Sequence, residues 1–314
     1  MMRFEKLGLV VEPMTKLWWS KNYAILPTPV YIQNPGILRV FYATTDEQNF
    51  GRVTFVDLDP ADPRKILHHH ETPVMDPGAI GAFDDCGVNP SSIFLSDDKY
   101  YLAYVGYQRH FRAPYSLLAG LANLNFDDNL VSISRYQETP ILERRPGELN
   151  IRTAPVIMRV QNHWMCWYVS DLGWKKLGND TLFPNYNISC ILSDSFTEWK
   201  NQPQVCLSPE RDECGFGRPW VSFRNGSFEM TFSVRTMGSH GKLEYRRFGY
   251  AVSKDGIRWE RKDDLLQSWV PSESGWDSEM ICYGSRVQIG KDEYMFYNGN
   301  ANGRTGFGVA KRIG

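Results

Sequence analysis

Apolar and polar positions along the chain repeat in one recurring order. A proline or small residue leads into a segment that alternates small and apolar residues, a short polar turn follows, and then comes an aromatic segment. The order recurs in "LPTPVYIQNPGILRVFYATT", "VNPSSIFLSDDKYYLAYVGY", "RTAPVIMRVQNHWMCWYVSD", "GRPWVSFRNGSFEMTFSVRT" and "YGSRVQIGKDEYMFYNGN". The leading residues are Pro29, Pro90, Pro155, Pro219 and Ser285, spaced by 61, 65, 64 and 66 residues. Period-two alternation between turn residues predicts β-strands, and the Asp-Asp-Lys, Asn-Gly-Ser and Gly-Lys-Asp stretches predict hairpins. A third strand ends in a second recurring phrase: "LLAGLANLNFDD", "NISCILSDSFTEW", "RFGYAVSKDGIRW" and "GFGVAKR". A fourth, less regular strand completes each unit, and no segment sustains a helical period.

A four-stranded unit repeated at a near-constant period predicts an all-β, five-bladed β-propeller. A β-sandwich or open solenoid calls for no such long unit at constant period. One domain, residues 1–314, is expected, with blades at roughly 16–75, 76–143, 144–208, 209–272 and 273–314. The last unit lacks an outer strand after Lys311, which residues 3–11, "RFEKLGLVV", are expected to supply.

The innermost strands of a propeller line its channel, and the residues leading into them converge on one mouth. Asp85, Glu148, Glu213 and Glu279 lie five to seven residues before their leading Pro or Ser; the first unit has Asn22 there. The loops joining second and third strands reach the same mouth: "YQRHFRAPYS", "DLGWKKLGNDTLFPNYN", "RTMGSHGKLEYRR" and "NGNANGRTG". Paired carboxylates suit glycosidic chemistry, one as acid and another as base or nucleophile. Repeated acids also serve to hold repeats together. Arg152 and Arg218 stand where they either pair with these acids or grip an anionic substrate. Trp18, Trp19, Tyr107 and Trp174 offer faces for sugar stacking or for packing between blades. His110 lies in a mouth loop, and Tyr283 lies two residues before Ser285.

Composition narrows the alternatives. A net charge of −1 and a pI near 6.6 argue against a dedicated nucleic-acid or anionic-membrane surface. Cys86, Cys166, Cys190, Cys206, Cys214 and Cys282 form no C-x-x-C pair, so no structural zinc is expected. With no signal-peptide pattern at the N-terminus, the expectation is free thiols and a cytoplasmic location. His68, His69 and His70 point alternately in an extended chain and are not expected to share a metal. No phosphate-loop or dinucleotide fingerprint appears, and no cofactor is expected.

"SKDGIRW", "SDSFTEW", "DKYYLAYV" and "GWDSEMICYGSRVQIGKDEYMFYNGN" resemble the five-bladed propellers of the glycoside hydrolase family 43, 32 and 130 superfamily over nearly the whole chain. The resemblance implies a carbohydrate ligand at the channel mouth. Family 43 places an Asp base before a Pro in the first blade, where this chain has Thr28 before Pro29. Family 32 uses Trp-x-Asn-Asp-Pro, of which "WWSKNYAILP" keeps Trp19 and Asn22 without the Asp.

The leading expectation is a glycosidase-like enzyme acting at a glycosidic or sugar-phosphate bond. Its catalytic candidates are Asp85, Glu148, Glu213 and Glu279, one of them with a raised pKa. Its substrate contacts are Trp19, Asn22, His110, Arg152, Trp174, Arg218 and Tyr283. The alternatives are a non-catalytic propeller that binds glycan or nucleotide sugar, and a protein-interaction scaffold. The expected partner is a sugar or sugar phosphate, with no nucleic acid and no membrane.

Overall fold

The computed structural model describes residues 2–127, 130–176, 182–238, 242–266 and 269–313. The chain is all-β. Twenty strands among the described residues form antiparallel ladders in chain order. The first ladder is β2 (Asn22–Ile32), β3 (Ile37–Thr45), β4 (Gly51–Asp59) and β5 (Asp62–His69). The second is β6 (Gly87–Ser96), β7 (Lys99–Arg109), β8 (Tyr115–Asp127) and β9 (Leu130–Arg135). The third is β10 (Ile151–Val160), β11 (His163–Lys176), β12 (Leu182–Ser193) and β13 (Gln204–Leu207). The fourth is β14 (Glu213–Arg224), β15 (Ser227–Met237), β16 (Leu243–Ser253) and β17 (Glu260–Arg261). The last joins β18 (Cys282–Ile289), β19 (Asp292–Asn298) and β20 (Phe307–Arg312) to β1 (Phe4–Val11). Its outermost register runs from Phe4 opposite Arg312 to Val11 opposite Phe307, so opposite ends of the chain complete one ladder.

The hairpins follow from turn chemistry. Ser96 pairs with Lys99 across Asp97 and Asp98, both at positive φ, and Arg224 pairs with Ser227 across Asn225 and Gly226, also both positive. Two left-handed residues give the tight turn that matches strand twist, and Asn, Asp and Gly tolerate it best.

Side chains from consecutive ladders bury one another in turn. Phe41, Phe55, Leu102 and Tyr104 fill the space between the first and second ladders. Phe94, Tyr101, Trp164 and Tyr168 fill the next. Trp167, Phe216, Phe228 and Phe232 pack third against fourth, and Phe248, Tyr250, Met295 and Tyr297 fourth against fifth. Val10, Val11, Tyr42, Phe296 and Phe307 then pack fifth against first. The order of burial is cyclic. The leading strands β2, β6, β10, β14 and β18 contact one another in the same cycle, with β18 returning to β2.

All six cysteines are free thiols. In the His68–His70 run, His69 Nε2 lies 2.7 Å from Tyr42 Oη, and His70 stacks on Phe55.

Because β1 carries the buried Val10 and Val11 and covers the edge of β20, deleting residues 2–11 is expected to cost several kcal/mol. Each buried valine alone is worth about 1.5–3 kcal/mol. Thermal unfolding checks this; an unchanged midpoint would mean that the ladder does not need its N-terminal strand.

Candidate functional site

The five leading strands face a common axis. Of these, β2, β14 and β18 are sheet edges, while β6 and β10 also make short parallel contacts with β4 and β8 at Gly87 and at Ile151–Arg152, ahead of Pro90 and Pro155. Proline fits these strands because its missing N–H falls where no ladder bond is made on that side. They are also bent. Register shifts fall between Ile25 and Thr28, Pro90 and Ser92, Thr153 and Val156, Gly217 and Trp220, and Cys282 and Ser285. Leu26, Ala154, Arg218 and Tyr283 sit at positive φ within these bulges. Each bulge breaks the two-residue alternation and turns a new side chain toward the axis.

Arg218 occupies the axis and is almost wholly buried. Its Nη1 donates to the carbonyls of Pro27 (2.7 Å) and Tyr283 (3.2 Å). Its Nη2 donates to Thr28 Oγ1 (2.7 Å) and the Ser91 carbonyl (2.6 Å). One side chain thus ties β14 to β2, β6 and β18. The hydroxyls of Ser91 and Ser92 both donate to the Pro155 carbonyl at 2.9 Å, adding β10, and Ser285 donates to the Pro27 carbonyl. Burial pushes the Arg218 guanidinium down to about 9, and no carboxylate pairs with it among the described residues. Carbonyl dipoles take the place of a counter-ion.

Beside Arg218 opens a cavity of about 290 Å³. Every leading strand contributes to its wall, through Leu26, Asn89, Thr153, Arg218 and Tyr283. Arg235, at the far end of β15, forms another part. Its Nη2 donates to the Pro184 and Cys214 carbonyls, and its guanidinium lies over the Tyr186 ring at 4.4 Å and the Tyr245 ring at 6.0 Å. Tyr115, Tyr186, Tyr245 and Tyr283 line the cavity together, with the Tyr115 and Tyr186 hydroxyls 3.0 Å apart. Burial raises the phenols of Tyr186, Tyr245 and Tyr283, so they stay neutral near pH 7. Gly217 makes room for this packing: a Cβ there would come within 3.0 Å of Tyr245 Oη and 3.1 Å of the Tyr283 ring.

Of the eleven sequence-predicted residues, this cavity gathers Arg218 and Tyr283. The expected ring of carboxylates is not among its walls. Glu148 is held by Arg152 Nε (2.7 Å) and the Tyr168 hydroxyl (3.1 Å). Glu213 is gripped by Arg247 and Arg261. Asp85 Oδ2 accepts from the Gly81 N–H, and Glu279 is exposed. The recurring acid is a brace. Asp84, Glu148 and Asp277 each accept a hydrogen bond from a second-strand tyrosine, namely Tyr104, Tyr168 and Tyr297. Each also pairs with a cation, Arg135, Arg152 and Lys6 respectively. In two units the bracing acid is therefore a neighbour of the expected one: Asp84 rather than Asp85, and Asp277 rather than Glu279. In the fourth unit the bulge between Glu213 and Gly215 turns the carboxylate outward, onto arginines of β16 and β17. Burial alone would raise its pKa, but hydrogen bonds and charge from Arg261 and Arg247 outweigh burial and hold it below the usual range. That is opposite to the raised pKa expected of a catalytic acid.

The other candidates stand apart from the cavity wall. Trp19 is buried, and Asn22 Nδ2 donates to the Asp46 carbonyl. His110 Nε2 lies 2.8 Å from Ser116 Oγ, and Arg152 is spent on Glu148, Tyr168 and the Glu143 carbonyl. Trp174 packs edge-on against Tyr115 at 5.2 Å, one ring behind the wall. Trp18 is exposed under Arg52, and Tyr107 meets Tyr115 at 6.1 Å. Residues 177–181 and 239–241, parts of two expected mouth loops, lie outside the described residues. Sequence reasoning missed Arg235, Tyr115, Tyr186 and Tyr245, although all four lie within the stretches assigned to mouth loops.

No protein-family model matches the chain. It is 31% identical over 315 residues to the uncharacterised protein Rv1502 of Mycobacterium tuberculosis, covering 98% of this chain and 99% of that protein. The chain belongs to the Rv1502 family. In three dimensions this member is similar to a thermostable family-43 glycoside hydrolase (TM-score 0.64, 14% identity, 93% of this chain and 88% of that one). It is likewise similar to a GH43_1 enzyme from Xanthomonas citri complexed with xylose (TM-score 0.62, 12% identity, 98% and 90%). The Rv1502-family chain therefore has the β-propeller fold of these glycoside hydrolases.

Two outcomes test the assignment of roles. Arg218→Met leaves three buried carbonyls short of a donor and is expected to cost about 3 kcal/mol or more, with Arg218→Lys restoring only part because lysine lacks the planar fork. An unfolding midpoint within a degree of wild type would remove Arg218 from the centre of the fold. Glu213→Gln is expected to cost about 2 kcal/mol near pH 7, after allowance for the partial exposure of Arg247. A depressed carboxyl stabilises the fold above its unfolded value of 4.5 and loses that contribution as pH falls through the folded value. The gap between wild type and variant should thus close in acid; a gap independent of pH would contradict the brace.

Proposed function

We propose that this chain is a single-domain, five-bladed β-propeller, with four-stranded blades and the last blade completed by β1, that recognises carbohydrate in its axial cavity. One observation carries the reading. The described walls of the cavity hold two arginines and four tyrosines and no carboxylate, whereas most glycosidases cleave with a pair of carboxylates flanking the scissile bond. Tyrosines kept neutral by burial donate hydrogen bonds to sugar hydroxyls and lend ring faces for stacking. The likeness in fold to glycoside hydrolases, one of them complexed with xylose, supports a sugar as the ligand. Binding without cleavage therefore takes precedence over the glycosidase reading, in which Asp85, Glu148, Glu213 and Glu279 would be catalytic.

Monosaccharides and short oligosaccharides are expected to raise the unfolding temperature in a concentration-dependent way, as any ligand of the native state must. Aryl glycosides are expected to release no phenol above the blank rate. Measurable turnover in the wild type that Glu279→Gln abolishes would reinstate the enzyme.

A further inference from the structure

Arg218 and Arg235 are the charged side chains on the described wall of the axial cavity, and both are more than nine-tenths buried. Neither has a carboxylate partner among the described residues; carbonyls and aromatic faces surround them instead. Buried cations ordinarily come with an anion, because low-dielectric surroundings penalise an uncompensated charge. The Nε atoms of both arginines and the hydroxyl of Thr153, all on lining residues, also lack hydrogen-bond partners. In Arg235 the carbonyl contacts use Nη2 alone, which leaves Nη1 without a partner among the described residues. The nearby phenols are donors rather than charges at neutral pH. The cavity is thus rich in positive charge and in donors.

We propose that the axial cavity takes an anionic sugar, with its carboxylate or phosphate against Arg235 and in the field of Arg218. This rests on the carbohydrate reading above and adds the charge of the ligand. Arg235 is the gripping residue, since the nitrogens of Arg218 Nη1 and Nη2 are committed to the axis. Tyr186 and Tyr245, which flank the Arg235 guanidinium, keep it in place by stacking, and the remaining sugar hydroxyls meet Tyr115, Tyr283 and Asn89.

The test is calorimetric titration of the full chain with matched pairs: glucuronate and galacturonate against glucose and galactose, then glucose 1-phosphate and inorganic phosphate. The charged member of a pair is expected to bind at least tenfold more tightly than the neutral one. Tighter binding of the uronates identifies a sugar acid; tighter binding of glucose 1-phosphate, with inorganic phosphate competing, identifies a sugar phosphate. Arg235→Gln is expected to lower the ratio of charged to neutral sugar affinity at least tenfold, and an unchanged ratio would overturn Arg235 as the gripping residue. The wild-type comparison decides the matter even if that variant fails to fold. Equal affinity for charged and neutral partners would overturn the anionic ligand and leave carbohydrate recognition standing. Binding of no sugar of either kind would overturn both.

Discussion

One guanidinium holds the centre of this protein together. Arg218 reaches from β14 to carbonyls or a hydroxyl on β2, β6 and β18, and the Ser91 and Ser92 hydroxyls extend the connection to β10. Burying a cation without a counter-ion is costly. Here the cost is offset by a planar fork of donors that meets several peptide carbonyls at once, an arrangement that a lysine ammonium does not reproduce. The bulges follow from the same constraint. For the Pro27, Ser91 and Tyr283 carbonyls to face the axis, the leading strands must leave regular pleating, and Leu26, Arg218 and Tyr283 accept positive φ to do so.

That network divides the labour among charged groups. Asp84, Glu148 and Asp277, just ahead of β6, β10 and β18, act as braces, each fixed by a second-strand tyrosine and a cation, and Glu213 is held by two arginines instead. Arginines sit on the axis without acids. Where the resemblance to family 43 places an Asp before a proline, this chain has Thr28, whose hydroxyl accepts from Arg218 and donates to the Leu26 carbonyl. A carboxylate at that position would pair with Arg218 directly and cancel the charge on which anionic recognition depends. On the fold it shares with these glycoside hydrolases, the described wall of this chain's axial cavity carries two arginines and no carboxylate.

Much of the fold was legible because each ladder repeats the same local rules. The Asp97-Asp98 and Asn225-Gly226 turns announce their hairpins, and the unpaired final unit calls for β1. The site was legible only in part. The common offset of the acids before Pro or Ser reflects a true repeat, but the bracing acids are Asp84 and Asp277, and both lie in turns ahead of the leading strands, where strand alternation does not say which way a side chain points. Alternation also failed where it mattered most, since the bulges at the leading strands decide which residues see the axis. Tyr115, Tyr186 and Tyr245 lie in stretches recognised as mouth loops, yet an aromatic residue there reads equally well as packing. Arg235 gave no signal of its own, because only the pairing of β15 with β16 and the stacking of Tyr186 show that its charge is left uncompensated.

The most direct measurement is a crystal structure of the chain grown with a saturating sugar acid or sugar phosphate. The account predicts the ligand in the axial cavity, its anionic group within hydrogen-bond reach of Arg235 and its ring among Tyr115, Tyr186, Tyr245 and Tyr283. A sugar bound instead between Glu279 and Asp85, with the axial cavity holding only water, would contradict it.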